Sequence, residues 1–451
     1  MLNFEPLESR TLFAGVTIIT HGFEDTTTGW VSTMADAIAN RAGGKSAVAI
    51  YTLDVGLDTR GKLAVLGFDH QSNTATVTTA SSGQTIIKLN WSTVSDGTYS
   101  TVQVGDVAAN WLMATPAGLP PLDQMPIDLI GHSRGASLNT EIAKDLGEHG
   151  IWVDQMTSLD PHPVNGAAED LGVSFRDEPM ITWSNIVFAD DYWRSGAGGT
   201  PAGDPDGQAV TGAYNLNLQA SVESDFVSSA HDSVHAWYFG TIDPKATSDG
   251  DGITIPSAWY GNTKTLPARD DTGFHYTLIA GGKRPASGLS PAFGGTAART
   301  NPGEHGTQWA DIGNISLGAT SLSPGHSFKI NFSEQDRQSA SKVVFYLDTD
   351  QNPYNGNNVR TLARGSFEKT NKISAKSLKA GTSGVAAGIY YVCAQITTAG
   401  GQTRYEYAPE YWRRRRDLRL PAEHVPVLWR HLRRQQRRRL PDQPQGRLSH
   451  L

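Results

Sequence analysis

Ile127-Asp128-Leu129-Ile130-Gly131-His132-Ser133-Arg134-Gly135 is the stretch on which the reading of this chain turns. A short apolar run enters it. The residues that leave it, Leu138 to Leu146, carry apolar side chains at 138, 142 and 146, one face of a helix. Between the two stands Gly131-x-Ser133-x-Gly135, which fits the glycine-flanked serine of a sharp strand-to-helix turn. Glycine at both flanks suits a turn whose central residue is strained, because a side chain at 131 or 135 would strike the neighbouring strand or helix. Such a turn lifts the serine oxygen above a sheet edge, at a helix start whose dipole favours a developing anion.

Upstream, Val16 to Thr20 and Ala47 to Leu53 read as strands, and Trp30 to Ala42 as a helix with apolar residues at 31, 34, 35, 38 and 39. Residues 62–88 alternate apolar and polar around Asp69 to Asn73, as inserted hairpins do, and Ile86 to Trp91 is another strand. Val104 to Met113 is helical. Downstream, Met156 to Leu159 and Ile186 to Phe188 read as strands. This alternation leads to the expectation of an α/β domain over 15–317: a mostly parallel sheet with helices on both faces. Within it, 244–317 loses the rhythm and reads as a cap or wrap-around extension, with Trp259, Tyr260, Phe274 and Tyr276 as a candidate acyl-binding wall. Residues 318–409 show strand-like runs separated by turns and no helix pattern, which predicts a smaller antiparallel β-sandwich.

Composition narrows the function classes. The chain of 451 residues carries a net charge of −7 and a single cysteine, Cys393. An intramolecular disulfide and a Cys-rich zinc site are thereby excluded. No apolar run approaches the length of a membrane span. Residues 411–451 hold twelve Arg, no Lys and three acids, a surplus of +9 that leaves −16 on the rest. An acidic body is unsuited to nucleic acid, whose phosphates call for a basic face. Basicity from Arg alone is what a shifted GC-rich reading frame gives, so the tail from 410 reads as disordered or out of frame rather than as a polymer-binding arm. At the other end, Phe4-Glu5-Pro6-Leu7-Glu8-Ser9-Arg10 with Leu12-Phe13-Ala14 resembles a short sorting motif at the N-termini of bacterial surface and secreted proteins, which implies a secreted or cell-surface location.

A nucleophilic serine needs a base, an orienting acid and an oxyanion site. The His21-Gly22-Phe23 turn after the first strand places the backbone N–H of Phe23 as one oxyanion donor. That of Arg134, the residue after the serine, is the other. His21 itself reads as a structural brace. Acid candidates follow two strands: Asp160 after Met156 to Leu159, and Asp190 or Asp191 after Ile186 to Phe188. His231 and His235 both fit a base that comes last in chain order. A loop histidine just ahead of a helix, as His231 is, can swing onto the serine, whereas His235 lies one turn inside. The i, i+4 histidines lack the Glu of a metalloprotease helix. Asp249-Gly250-Asp251-Gly252 reads as a turn, and Asp348 to Asn352 lacks the Gly and Glu of a calcium loop. No metal or cofactor is expected.

Taken in order, Ile18-Ile19-Thr20-His21-Gly22-Phe23, Leu89-Asn90-Trp91-Ser92, Gly131 to Ala136 and Ser158-Leu159-Asp160-Pro161 resemble the successive signatures of lipase-type α/β-hydrolases, over roughly residues 15–245. The resemblance implies a serine esterase or lipase with an acyl-enzyme intermediate, Asp160 as acid in its Leu-Asp-Pro setting, and His231 as base. Trp237 and Tyr238 then stand where that family has aromatics after its histidine. Arg134 departs from the apolar residue usual there, and Asn90 from the usual Asp. The expected substrate is an acyl ester or lipid. The competing expectation is a catalytically silent surface or adhesive protein. Acyl chain length and oligomeric state are not legible in the sequence.

Overall fold

The computed structural model describes residues 14–414, apart from 97–98, 117, 165–175, 196–205, 219–229, 262–266, 304–308, 324 and 337–338. The sorting-like segment at 4–13 and the Arg-rich stretch 415–451 lie outside the described residues.

Eight strands form the first sheet, in the order β3-β2-β4-β1-β5-β6-β7-β8. They are β1 (Gly15–Thr20), β2 (Ala49–Leu57), β3 (Leu63–His70), β4 (Gln84–Asn90), β5 (Ile127–His132), β6 (Val153–Leu159), β7 (Ile186–Trp193) and β8 (Tyr214–Asn217). All neighbours pair parallel except β2 and β3, which form an antiparallel hairpin at the edge. The central strands β1 and β5 are buried along their whole length, as apolar runs covered on both faces must be. Helix α1 (Trp30–Arg41) follows β1. A short helix α2 (Ser92–Ser95) and α3 (Thr101–Met113) follow β4. Helix α4 (Arg134–Glu148) joins β5 to β6, and α5 (Ser233–Ile242) comes after β8. Helix α3 is started by a capping box: Ser100 Oγ accepts from Gln103 N–H while the Gln103 side chain accepts from Ser100 N–H.

The fold class expected from sequence requires correction. Among the described residues the structure is mostly β, with 37% strand and 23% helix in mixed and antiparallel sheets, and not a helix-rich α/β-hydrolase. Two features of the chain account for the difference. Among the described residues of 244–310, between the halves, the helical elements are single 3-10 turns and not α-helices. The second half is then built wholly of strands: β9 (Asp311–Leu317), β10 (Ser321–Leu322), β11 (Ser327–Asp336), β12 (Ser341–Asp348), β13 (Asn358–Phe367), β14 (Thr370–Gly381), β15 (Gly388–Thr398) and β16 (Thr403–Arg414). They make a five-stranded sheet β10-β16-β15-β12-β13 and a three-stranded sheet β14-β11-β9. Phe328, Ile330, Phe332, Phe345 and Trp412 belong to the core of this half.

This half begins at 311 rather than 318 and extends to 414 rather than 409. Tyr411 to Arg414, grouped by composition with the tail, pair with Gly388 to Tyr391 of β15. Trp412 is fully buried and stacks on Phe328. Cys393 is a buried core residue. Arg404 ties the halves together: paired with Asp311 of its own half at 3.0 Å, it donates across to the Trp152 carbonyl at 3.0 Å.

The aromatics at 259–276 do not wall a site. Trp259, Tyr260, Phe274 and Tyr276 are buried, and the first three join α5 in one apolar cluster. Tyr260 stacks on Trp237, its hydroxyl donating to the Trp237 carbonyl at 2.6 Å. Their large apolar area goes into fixing α5 against the sheet.

Candidate active site

Parallel pairing of β1, β5 and β6 brings the ends Thr20, His132 and Leu159 to one edge of the sheet. Ser133 follows β5 directly, with φ 56° and ψ −126°, a left-handed conformation for a residue with a side chain. Its N–H donates to the Leu159 carbonyl at 2.9 Å, and its carbonyl accepts from Ala136 N–H at 3.1 Å and His162 N–H at 3.2 Å. The strain is thus held from three sides. The flanking glycines are sterically required. A Cβ at Gly131 would come within 2.6 Å of the Gly135 carbonyl oxygen, and one at Gly135 within 2.4 Å of the His21 oxygen. Gly22 lets the turn after β1 pass over the serine, because a Cβ there would lie 2.9 Å from Ser133 Cβ.

Asp160 follows β6, fully buried and with φ 44°. Its Oδ2 accepts from His231 Nδ1 at 2.7 Å, and its Oδ1 accepts from Arg194 N–H at 2.8 Å. The Arg194 guanidinium stands 3.6 Å from the same carboxylate. Burial raises the Asp160 carboxyl above its ordinary range, and the hydrogen bond and charge of His231 oppose that shift. An ionised carboxylate only accepts, so the 2.7 Å bond assigns the proton to Nδ1 and leaves Nε2 as the basic nitrogen. His231 sits two residues ahead of α5, in the loop expected from sequence.

Ser133 and His231 line one cleft of about 260 Å3, together with Gly22, Phe23, His235 and Asp251. Phe23 lines this cleft, and Arg134 opens α4 immediately after the serine. A second, larger opening of about 530 Å3 lies beyond His162, lined also by Pro163, Met180, Asp206 and Gln208.

The alternative acids are corrected. Strand β7 does not stop at Phe188 but runs to Trp193, so Asp190 and Asp191 lie inside it rather than after it. Asp190 is fully buried, where it accepts from Thr157, Gln155 and Tyr192 side chains. Burial pushes its pKa up to about 6. Asp191 accepts from Val210 N–H. The alternative base is corrected too. His235 faces Asp249 at 3.1 Å, not Asp160, and its ring lies flat on Trp30 at 4.6 Å.

His21 has the bracing place read from sequence. It is fully buried, its Nδ1 donates to the Gly22 carbonyl at 3.0 Å, and its Nε2 accepts from Trp91 N–H at 3.3 Å. Trp91 Nε1 donates in turn to the His21 carbonyl at 3.0 Å. Burial lowers its pKa, against the charge of Asp25. A lowered folded-state value means that the unfolded chain takes up the proton first. Stability is therefore complete above the unfolded value near 6.5 and is lost as pH falls below it, at up to about 1.4 kcal/mol per pH unit for one site. Denaturant titrations at pH 7.5, 6.5 and 5.5 should show His21→Gln with a shallower pH slope than the parent; equal slopes would remove His21 from the acid-sensitive set.

Three residues take parts that the sequence does not signal. His132 occupies a variable position of the serine motif, yet it is buried and its Nε2 donates to the His231 carbonyl at 3.1 Å, steadying the base's loop. Burial holds its pKa well below the ordinary value. Arg194 buttresses Asp160. Asp177 explains the unusual Arg134, whose guanidinium binds it in two places, at 2.7 and 2.8 Å, and also donates to the Ser95 and Tyr99 carbonyls. Both side chains are wholly buried. Asp177 further accepts from Thr101 N–H and Val164 N–H, each at 2.9 Å. Removing one partner strands a buried charge, so Asp177→Ala should cost about 3–5 kcal/mol. A loss below about 1 kcal/mol in equilibrium urea unfolding would show the pair to be dispensable.

Comparisons with known proteins add little to this geometry. No protein family model and no curated protein matches the chain. Among solved structures, it is similar at 11% identity to a Pseudomonas fluorescens alkylpurine DNA glycosylase, AlkC, over 24% of this chain and 30% of that one, with a TM-score of 0.18. The sporulation control protein Spo0M of Bacillus subtilis matches at 11% over 24% of this chain and 50% of its own, with a TM-score of 0.17. The chain thus spans half or less of either protein. OgpA from Akkermansia muciniphila aligns at 10% over 89% of this chain and 93% of its own, with a TM-score of 0.19. Likenesses this weak carry no argument about function. Among the described residues, no helix is long and apolar enough to cross a membrane.

Proposed function

We propose that this protein is a secreted or cell-surface serine hydrolase that cleaves acyl esters through an acyl-enzyme intermediate. One observation carries the reading: a buried Asp160 bonded at 2.7 Å to His231, whose ring shares a cleft with a serine on a strained strand-to-helix turn. Ser133 attacks the ester carbonyl while His231 takes its proton and returns it to the leaving alcohol. Asp160 keeps the imidazole in the Nδ1–H form and stabilises its cation. The backbone N–H groups of Phe23 and Arg134 receive the oxyanion. Water then enters, and the same histidine drives deacylation. No cofactor takes part.

The mostly polar linings of the cleft and of the opening beyond His162 support an ester whose alcohol or acyl portion bears polar groups. The acidic body speaks against nucleic acid as a partner. The test is a panel of p-nitrophenyl esters of increasing chain length, run beside labelling by a fluorophosphonate. Turnover with labelling supports the hydrolase. Folded protein that neither turns over nor labels favours the silent surface protein.

A further inference from the structure

The geometry points to a divalent transition-metal site, of the zinc class, formed by His235, Asp249 and Asp251 on the flank of the same cleft. The three offer an imidazole nitrogen and two carboxylate oxygens, all within 4.8 Å of one another. His235 is fixed by its stack on Trp30. Asp249 is fixed by its Oδ1, which accepts from Asp251 N–H at 3.1 Å and Ile253 N–H at 2.9 Å. These two bonds close a turn that aims the other oxygen, Oδ2, at His235 Nδ1.

That second oxygen is the telling one. Oδ2 and Nδ1 lie 3.1 Å apart with both side chains at most 1% exposed, yet neither atom makes a hydrogen bond. A direct hydrogen bond would need the N–H to point at the oxygen. Two ligands at zinc-like lengths of roughly 2.0–2.2 Å from one ion, subtending about 95–100°, would stand at this separation without pointing at each other. Asp251 is more exposed and lines the cleft, so water or a substrate oxygen can complete the coordination from that side. The neighbouring set of His132, Asp232 and His235 is the weaker host, because it lacks the buried carboxylate oxygen that faces His235 Nδ1. The spacing His231 to His235 misleads in the sequence. The partners of His235 are not His231 but the Asp249-Gly250-Asp251 turn, and His231 belongs to Asp160.

The site stands apart from the ester-hydrolase reading and is tested without any turnover. Full-length protein, stripped with chelator and dialysed, is titrated with zinc chloride by calorimetry and with cobalt(II) by visible absorption. We expect binding of one zinc in this site, and a cobalt spectrum of a nitrogen- and oxygen-ligated ion. Asp249→Asn and Asp251→Asn should each weaken that binding by at least about 10- to 100-fold. His231→Ala should leave it intact. Circular dichroism confirms that each variant is folded, and Asp251→Asn, nearer the surface, tests the site should Asp249→Asn not fold. No zinc binding, binding by both Asp variants equal to the parent's, or loss in His231→Ala with retention in the Asp variants would overturn the assignment.

Discussion

Replacing Ser133 with alanine is expected to abolish fluorophosphonate labelling and to lower ester turnover on the order of a million-fold, to the level left by the oxyanion donors and binding alone. The size follows from the geometry. The serine's oxygen is the only group of the proposed triad that forms a covalent bond, and its base has no other nucleophile to activate except water. Folding should be little affected, because only one oxygen is removed. The backbone that holds the strained turn is bonded through Leu159, Ala136 and His162 rather than through the side chain. The measurement is labelling and single-turnover kinetics on protein shown by circular dichroism to be folded. Turnover retained within tenfold of the parent would mean that another residue does the chemistry, and the serine-hydrolase mechanism would fall.

How much of this is legible in the sequence depends on the range over which each feature is encoded. The serine turn is local: strand, glycine, serine, glycine and helix are adjacent, and steric demands at 131 and 135 are written in residue types. Asp160 is readable as a strand end, but Asp190 and Asp191 are not readable as strand interior. Their carboxylates look like loop residues until Thr157, Gln155 and Tyr192 are seen to bond Asp190, and Val210 N–H to bond Asp191. Arg134 with Asp177, 43 residues apart, and His235 with Asp249 leave no pattern of period or spacing, because such pairings are fixed by the sheet and not by neighbours in the chain. The class of fold is misread from sequence for a related reason. Apolar periodicity in the first half suggests helices on both faces throughout. The strand runs of 318–409 are read correctly as strands but only as a smaller appendage, and the irregular 244–317 segment, whose aromatics serve α5 instead of a substrate, adds no α-helix among its described residues, so the balance tips to β. Trp412 shows the same limit at the boundary: the arginines that follow it hide a buried strand residue.

Asp160→Asn carries the second large effect, on the order of 10,000-fold in kcat with little change in KM. An asparagine presents an amide nitrogen or a neutral oxygen to His231 Nδ1. Arg194 N–H already donates to Oδ1 at 2.8 Å, which keeps the amide oxygen on that side and turns the NH2 toward the imidazole. Two donors then face each other, so the ring shifts its proton to Nε2 and presents the serine with an N–H in place of a lone pair. The loss therefore lies in the chemical step, and substrate binding survives. Arg194 adds a second consequence. With the carboxylate gone, its buried guanidinium loses a charge partner at 3.6 Å, so Asp160→Asn should also be less stable than the parent, whereas Asp190→Asn should keep most activity. Parallel kinetics and urea unfolding of the two variants distinguish the cases. If Asp190→Asn is the one that loses turnover and Asp160→Asn does not, the orienting acid has been misassigned, and the 2.7 Å bond to His231 serves structure alone.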